Sequence, residues 1–281
     1  MKNNLLIILK GFIIGSSMSV PGVSGGTMAI LLGIYDKLIS AISNFLKDIK
    51  GNILFFLKFC FGAGLGIVAL VLIIDKALEK FPLPVSFFFL GAVIGGIPAL
   101  YKKTKESPIR VSSVIYFLLG LGIVISIGFL PTGSISFTAG TGAGHYLMVL
   151  VAGIIIALAL VLPGISTSHM LLVLGMYETT IAAVKQFDIV YIGMLGISTV
   201  IGIFLTTKPI EWTMNKFPHQ TYCIIIGFVL GSTTAVFNEL IIPKIPPDAG
   251  MGWWISSIIM SAAAFILGLI AILSLSKYSN D

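Results

Sequence analysis

The sequence predicts an all-α polytopic membrane protein built from two inverted-topology repeats, each a re-entrant helical hairpin followed by three transmembrane helices. Three observations predict it. Of 281 residues, 57% are hydrophobic and only 10% charged, against about 25% charged in a soluble domain, and mean hydropathy is +1.08. Six apolar runs, 52–80, 84–101, 111–130, 189–207, 219–238 and 252–276, come near the ~20 residues that span hydrocarbon. Two more apolar stretches are interrupted by the same uncharged break, Pro-Gly-x-Ser.

The chain opens Met1-Lys2-Asn3-Asn4-Leu5, basic then apolar, as a signal peptide would. It runs on without an Ala-x-Ala-like cleavage site, so the segment belongs to the fold. The first break follows, Pro21-Gly22-Val23-Ser24-Gly25-Gly26-Thr27-Met28, flanked by apolar 5–20 and 27–45. Broken backbone at membrane depth is tolerated only where protein or a wet cavity covers it. Residues 5–45 therefore predict a hairpin that enters and leaves on one face. Crossings 52–80, 84–101 and 111–130 complete a first unit, 1–130, and a small polar stretch, 131–144, joins it to the second.

The second unit, 145–281, repeats the plan: a hairpin over 145–187, then crossings 189–207, 219–238 and 252–276. Its break reads Pro163-Gly164-Ile165-Ser166-Thr167-Ser168-His169-Met170. Aligned without gaps, the two breaks share Pro, Gly, Ser and Met, then Leu32/Leu174, Gly33/Gly175 and Tyr35/Tyr177, and end on Asp36 and Glu178. Further on, Lys80-Phe81-Pro82 is echoed by Lys216-Phe217-Pro218, and Gly91/Gly95 by Gly227/Gly231. The glycine pairs have the small-xxx-small spacing of helix packing and no ligand is assigned to them.

Three crossings per unit deliver the chain to the opposite face, which inverts the second unit. Charge tests this. The topology puts Lys2, Lys10, Lys47, Lys50, Lys102, Lys103, Lys105, Arg110, Lys208, Lys216 and Lys277 towards one face and Lys76, Lys80, Lys185 and Lys244 towards the other, with Lys37 and Lys58 unassigned. By the positive-inside rule both termini are cytoplasmic. The formal charge of +6 suits anionic lipid. Nucleic acid is excluded as a partner, because the basic residues are scattered over greasy surfaces. Cys60 and Cys223 lack metal or redox spacing and are assigned to packing. No cofactor or metal is expected.

A helix that starts at a break begins with N–H groups lacking acceptors and with a partial positive charge. Gly22, Gly25 and Gly26 let backbone approach a ligand, and Ser24 and Thr27 add hydroxyls; Gly164, Ser166, Thr167, Ser168 and His169 do so at the second tip. Two such tips meeting inside the membrane, with Pro21 and Pro163 breaking the helices, suit a phosphate or carboxylate.

These residues resemble the polyprenyl-phosphate transporter family. The resemblance rests on Met18 through Thr27 with Leu32-Gly33-Ile34-Tyr35, and on Leu162-Pro163-Gly164-Ile165-Ser166 with Leu174-Gly175-Met176-Tyr177. Through the duplicated layout it covers nearly the whole chain. The second motif departs from the family pattern at Thr167-Ser168-His169. The resemblance implies a bacterial cytoplasmic-membrane protein that returns undecaprenyl phosphate to the cytoplasmic leaflet for cell-wall synthesis. The hairpin tips would hold the phosphate. The long tail does not fit inside a 29.9 kDa chain, so a lateral opening is required.

A membrane undecaprenyl-diphosphate phosphatase is the alternative, since such enzymes share the Pro-Gly-x-Ser tip. They place an Arg beside that Ser, where this chain has Gly25 and Thr167, and no Glu-x-x-x-Glu precedes either tip. Without a cation for the leaving phosphate or a base for the attacker, hydrolysis is poorly equipped. A small-anion carrier is a third reading. Tyr35, Asp36, Tyr177, Glu178, Glu211 and Glu239 are candidates for lining the substrate path or for coupling to a proton or other ion, together with His169, which titrates near neutral pH.

Overall fold

The computed structural model describes residues 2–18, 23–104, 108–133 and 143–279, and its described residues are helical throughout apart from turns and short connections. Pro21 and Gly22 of the first tip lie outside the described residues. In order the helices are α1 (Lys2–Ser17), α2 (Gly25–Leu31), α3 (Tyr35–Ser43), α4 (Ile49–Lys80), α5 (Pro82–Lys103), α6 (Val111–Gly128), α7 (Ala143–Val161), α8 (Thr167–Val173), α9 (Tyr177–Gln186), α10 (Ile189–Lys216), α11 (Pro218–Val236) and α12 (Met251–Ser279). Among the described residues, six helices are each long and apolar enough to cross a membrane, Ile49–Ala69, Pro82–Lys103, Val111–Gly128, Ile189–Lys216, Pro218–Lys244 and Met251–Leu275, and each overlaps one of the apolar runs.

The apolar stretch after each break is two helices rather than one. Helices α2 and α3 meet at 114°. Local chemistry explains the bend. Gly33 N–H donates to the Ile30 carbonyl and Ile34 N–H to the Ala29 carbonyl, each at 2.9 Å, which is a Schellman C-cap and needs a left-handed residue. Gly33 supplies it at φ +64°. After α8 the same pair of bonds recurs, Gly175 to Leu172 at 3.0 Å and Met176 to Leu171 at 2.9 Å, with Gly175 at φ +66°. The shared Leu-Gly-x-Tyr is thus a helix stop followed one residue later by a helix start.

Lys-Phe-Pro also has one structure in both places. Phe81 (φ −134°, ψ 57°) and Phe217 (φ −131°, ψ 57°) each end one long helix and cap the next. Pro82 and Pro218 take the first helical position, where a missing N–H costs nothing.

Helices pair through glycine. On α5, Gly91 and Gly95 lie against the backbone of Phe265 and Leu269 on α12; on α11, Gly227 and Gly231 face Phe117 and Leu121 on α6. Gly11 and Gly15 seat α1 on α4, and Gly202 of α10 faces Ile154 of α7. The pairs α1–α4, α7–α10, α5–α12 and α6–α11 form the frame. The segments that follow the two breaks sit in it unequally. Met28, Leu31, Tyr35 and Ile39 of α2 and α3 are buried in the main core with Ala92 and Leu100 of α5, Val161 of α7 and Ile225 and Val229 of α11. After the second break, Leu174, Met176 and Ala183 are buried instead among Val149, Ala152, Ile156 and Tyr191 of α7 and α10, while Ile165 and Met170 pack with Val124 of α6 and Phe228 of α11.

Candidate functional site

The two breaks touch. Gly164 N–H donates to Thr27 Oγ1 at 2.9 Å, and a Cβ placed on Gly26 would lie 3.3 Å from Pro163 Cα. Gly164 itself sits at φ +85°, against the carbonyl of Phe228, so no other residue fits there. Just beyond the first tip, Tyr35 donates its hydroxyl to the Val161 carbonyl at 2.9 Å. That carbonyl belongs to the last residue of α7, so α3 supplies a donor to the end of a helix leading into the second break.

The tips differ in what they leave free. Ser166 caps α8, its Oγ accepting from His169 N–H at 3.4 Å. Ser24 occupies the same position on α2, with φ −83° and ψ 133°, but its side chain makes no capping bond. The first-turn N–H groups of Gly25, Gly26 and Thr27 therefore receive nothing from the Ser24 side chain. Each post-break helix has seven residues. Two turns build only a small macrodipole, so the polarity of these helix starts lies in individual N–H and hydroxyl groups.

Ser24, Gly25, Gly26 and Thr167 line a cavity of about 320 Å³. Tyr35, expected to line the substrate path, also borders it, and the rest of the wall is apolar: Phe56, Phe59 and Cys60 from α4, Leu38, Ile39 and Ile42 from α3, Leu160 from α7 and Ile203 from α10. One end thus offers polar groups and the other a greasy lane between the α1–α4 and α7–α10 pairs. Cys60 is exposed and on this wall, so the packing assignment holds for buried Cys223 alone.

The profile of a family described as VCA0040-like, undecaprenyl phosphate translocase-like, matches residues 14–242. This chain belongs to that family. The polyprenyl-phosphate transporter of Staphylococcus aureus is 32% identical to it over 284 aligned positions, 98% of this chain and 96% of that one. The polyprenyl-phosphate transporter of Vibrio cholerae is 30% identical over 272 positions, 91% of this chain and 82% of that one. No solved structure matches significantly. Both relatives are transporters, as the missing tip arginine suggests.

The other candidates in this translocase-like chain fall into separate groups. His169 turns from the cavity: Nε2 is 3.1 Å from the Ile127 carbonyl and Nδ1 is 3.7 Å from Glu239 Oε1. A carbonyl only accepts, so Nε2 carries hydrogen. Nδ1 and Oε1 then face each other with room for one proton, as imidazolium beside carboxylate or imidazole beside carboxylic acid. Glu239 sits on a single turn of π-helix, Phe237–Ile241, continuing α11, a distortion that recurs at functional sites. Ser168 is exposed and lines no part of the cavity.

Asp36 pairs with Lys103 of α5. At the other end of α3, Glu211 of α10 accepts from Ser43 Oγ and from Asn44 Nδ2, the latter at 2.8 and 2.9 Å. Helix α3 is thus tied at both ends to the frame. Tyr177 is half-buried and Glu178 exposed, and among the described residues neither joins the cavity. Sequence reasoning missed Lys103, the Val161 carbonyl and the α4 wall, because nothing local marks a residue as the partner of one distant along the chain.

Proposed function

We propose that this chain carries undecaprenyl phosphate across the bacterial cytoplasmic membrane, returning the lipid carrier to the cytoplasmic leaflet for envelope synthesis. The observation that carries this reading is the amphipathic cavity at the contact of the tips: uncapped N–H groups and hydroxyls at one end, an apolar lane at the other. Phosphate is held at the tips by Ser24, Gly25, Gly26 and Thr167, with Thr27 and Gly164 joining the two tips and Ser166 shaping the second. The tail leaves sideways along Phe56, Phe59 and Ile203 into lipid.

The reading includes two inverted repeats, 1–130 and 145–281, with both termini cytoplasmic. The recurrence of the Schellman stops, the Lys-Phe-Pro caps and the glycine pairings supports the duplication. On that topology Asp36, Lys103, Ser43 and Glu211 lie near the cytoplasmic side, where α3 is tied shut, whereas among the described residues α9 bonds only to α10 of its own half, through Thr180 and Tyr191. Access alternates as one hairpin is tied down while the other is released, and the His169–Glu239 proton is the coupling candidate.

Binding decides it. Purified protein in nanodiscs should bind undecaprenyl phosphate, and Ser24→Ala should weaken binding about tenfold, as loss of a hydrogen bond to a charged group does. Unchanged affinity would remove the tips from the site.

A further inference from the structure

On the side of α3 away from the tip cavity lies a second cavity of about 440 Å³, bounded by the start of α1, the turn after α3 and the start of α4. Helix α3 divides the two by its periodicity: Leu38, Ile39 and Ile42 face the tips, whereas Lys37, Ser40 and Asn44 face this second space.

Three lysines converge here, Lys37, Lys47 and Lys58, with the amides of Asn4 and Asn52 beside them. Among the described residues none of the three forms an ion pair. The single carboxylate present, Asp48, is engaged as the cap of α4, accepting from Gly51 N–H at 3.0 Å. Lys58 is the informative one. It stands nine residues into α4, about 14 Å along an apolar crossing helix, where an ammonium is expensive. Its Nζ donates to Asn4 Oδ1 at 3.0 Å and so stays within the cavity. Lys37 Nζ lies 5.1 Å from the Phe55 ring centre, which supplies an aromatic wall. Three cations that form no ion pair among the described residues, the Asn4 carboxamide and an aromatic wall make a receptor for a phosphate attached to an apolar chain.

We propose that this cavity is a second binding site for the phosphate monoester headgroup of a polyprenyl lipid, occupied on the far side of α3 from the tips. The site rests on the transport reading above and deepens it: α3 is the partition between the two headgroup positions, and the lysines receive the phosphate as it leaves the tips.

Lysine acylation read by mass spectrometry tests this in the full-length protein in zwitterionic nanodiscs. Farnesyl phosphate should slow acylation of Lys37, Lys47 and Lys58 several-fold relative to Lys185, while farnesol and inorganic phosphate at the same concentration should not. The triple variant Lys37→Gln/Lys47→Gln/Lys58→Gln should lose one of two classes of farnesyl phosphate binding, by about tenfold or more in affinity. Lysines that react alike with and without farnesyl phosphate, or that inorganic phosphate protects equally well, overturn the proposal. Protection of the lysines that persists while Ser24→Ala leaves transport unchanged would instead remove the tip site and keep this one.

Discussion

Gly164 N–H donates to Thr27 Oγ1 at 2.9 Å, and Thr27 is 1% exposed, so each break in the chain is completed by an atom of the other. Thr27→Val keeps the shape and removes the acceptor, leaving a buried N–H without a partner. The expected cost is about 1–3 kcal/mol, while Thr27→Ser, which keeps the oxygen, should cost less than half of that. Thermal unfolding of the purified variants in detergent measures the difference. Equal stability of all three proteins would mean the tips are not joined by this bond.

Gly164 carries a second constraint. Its φ of +85° disfavours any side chain by about 1–2 kcal/mol, and a Cβ would meet the Phe228 carbonyl as well. Gly164→Ala should therefore lower the unfolding temperature and abolish transport. Gly122→Ala is the control, since a Cβ there meets nothing within 4 Å, and it should do neither.

What the sequence revealed followed from repetition and periodicity. Apolar length locates the six crossing helices, because span is a one-dimensional property. The small-xxx-small spacing anticipates the α5–α12 and α6–α11 contacts, because close approach needs glycine at i and i+4. The break motifs mark the tips. The 114° bend after α2 was signalled by Gly33, but a left-handed glycine in an apolar run is not distinguishable by composition from one in a straight packing face. The partners of Asp36, Tyr35, Glu211 and His169 depend on which helices lie side by side, and no local spacing encodes that. Lys37 and Lys58 had no assigned face for the same reason; only the fold brings both to one cavity with Lys47.

The His169–Glu239 contact predicts a pH dependence. With Nε2 committed to the Ile127 carbonyl, the 3.7 Å gap between Nδ1 and Oε1 is favourable with one proton and unfavourable with none. Loss of that proton sets a lone pair against a carboxylate and loosens α8 from the π-turn of α11. Glu239→Gln replaces the carboxylate with an amide that donates to Nδ1 without a shared proton. Transport by the wild-type chain should depend on pH more strongly than that of Glu239→Gln, measured as lipid-phosphate transfer in proteoliposomes. Parallel profiles would assign the pair to structure alone.

The ties on α3 make the last prediction. Glu211 accepts three hydrogen bonds from Ser43 and Asn44, and hydrogen bonds to a charged group contribute about 1.5–3 kcal/mol each at most. Glu211→Ala frees the far end of α3 and leaves only the ties at its start, the Asp36–Lys103 pair and the Tyr35–Val161 bond. Even one such bond, if lost, moves the balance between tied and released α3 by roughly tenfold. Cys60, on the wall of the tip cavity, reports it: a bulky polar maleimide added from the side of Lys47 should alkylate Cys60 faster in Glu211→Ala than in the wild-type chain, with buried Cys223 unreactive in both. Conservative Glu211→Gln, which keeps one carbonyl acceptor, should fall between them. If Cys60 reacts at one rate in all three, α3 is not the barrier between the tips and that face, and the cavity reaches it by another route.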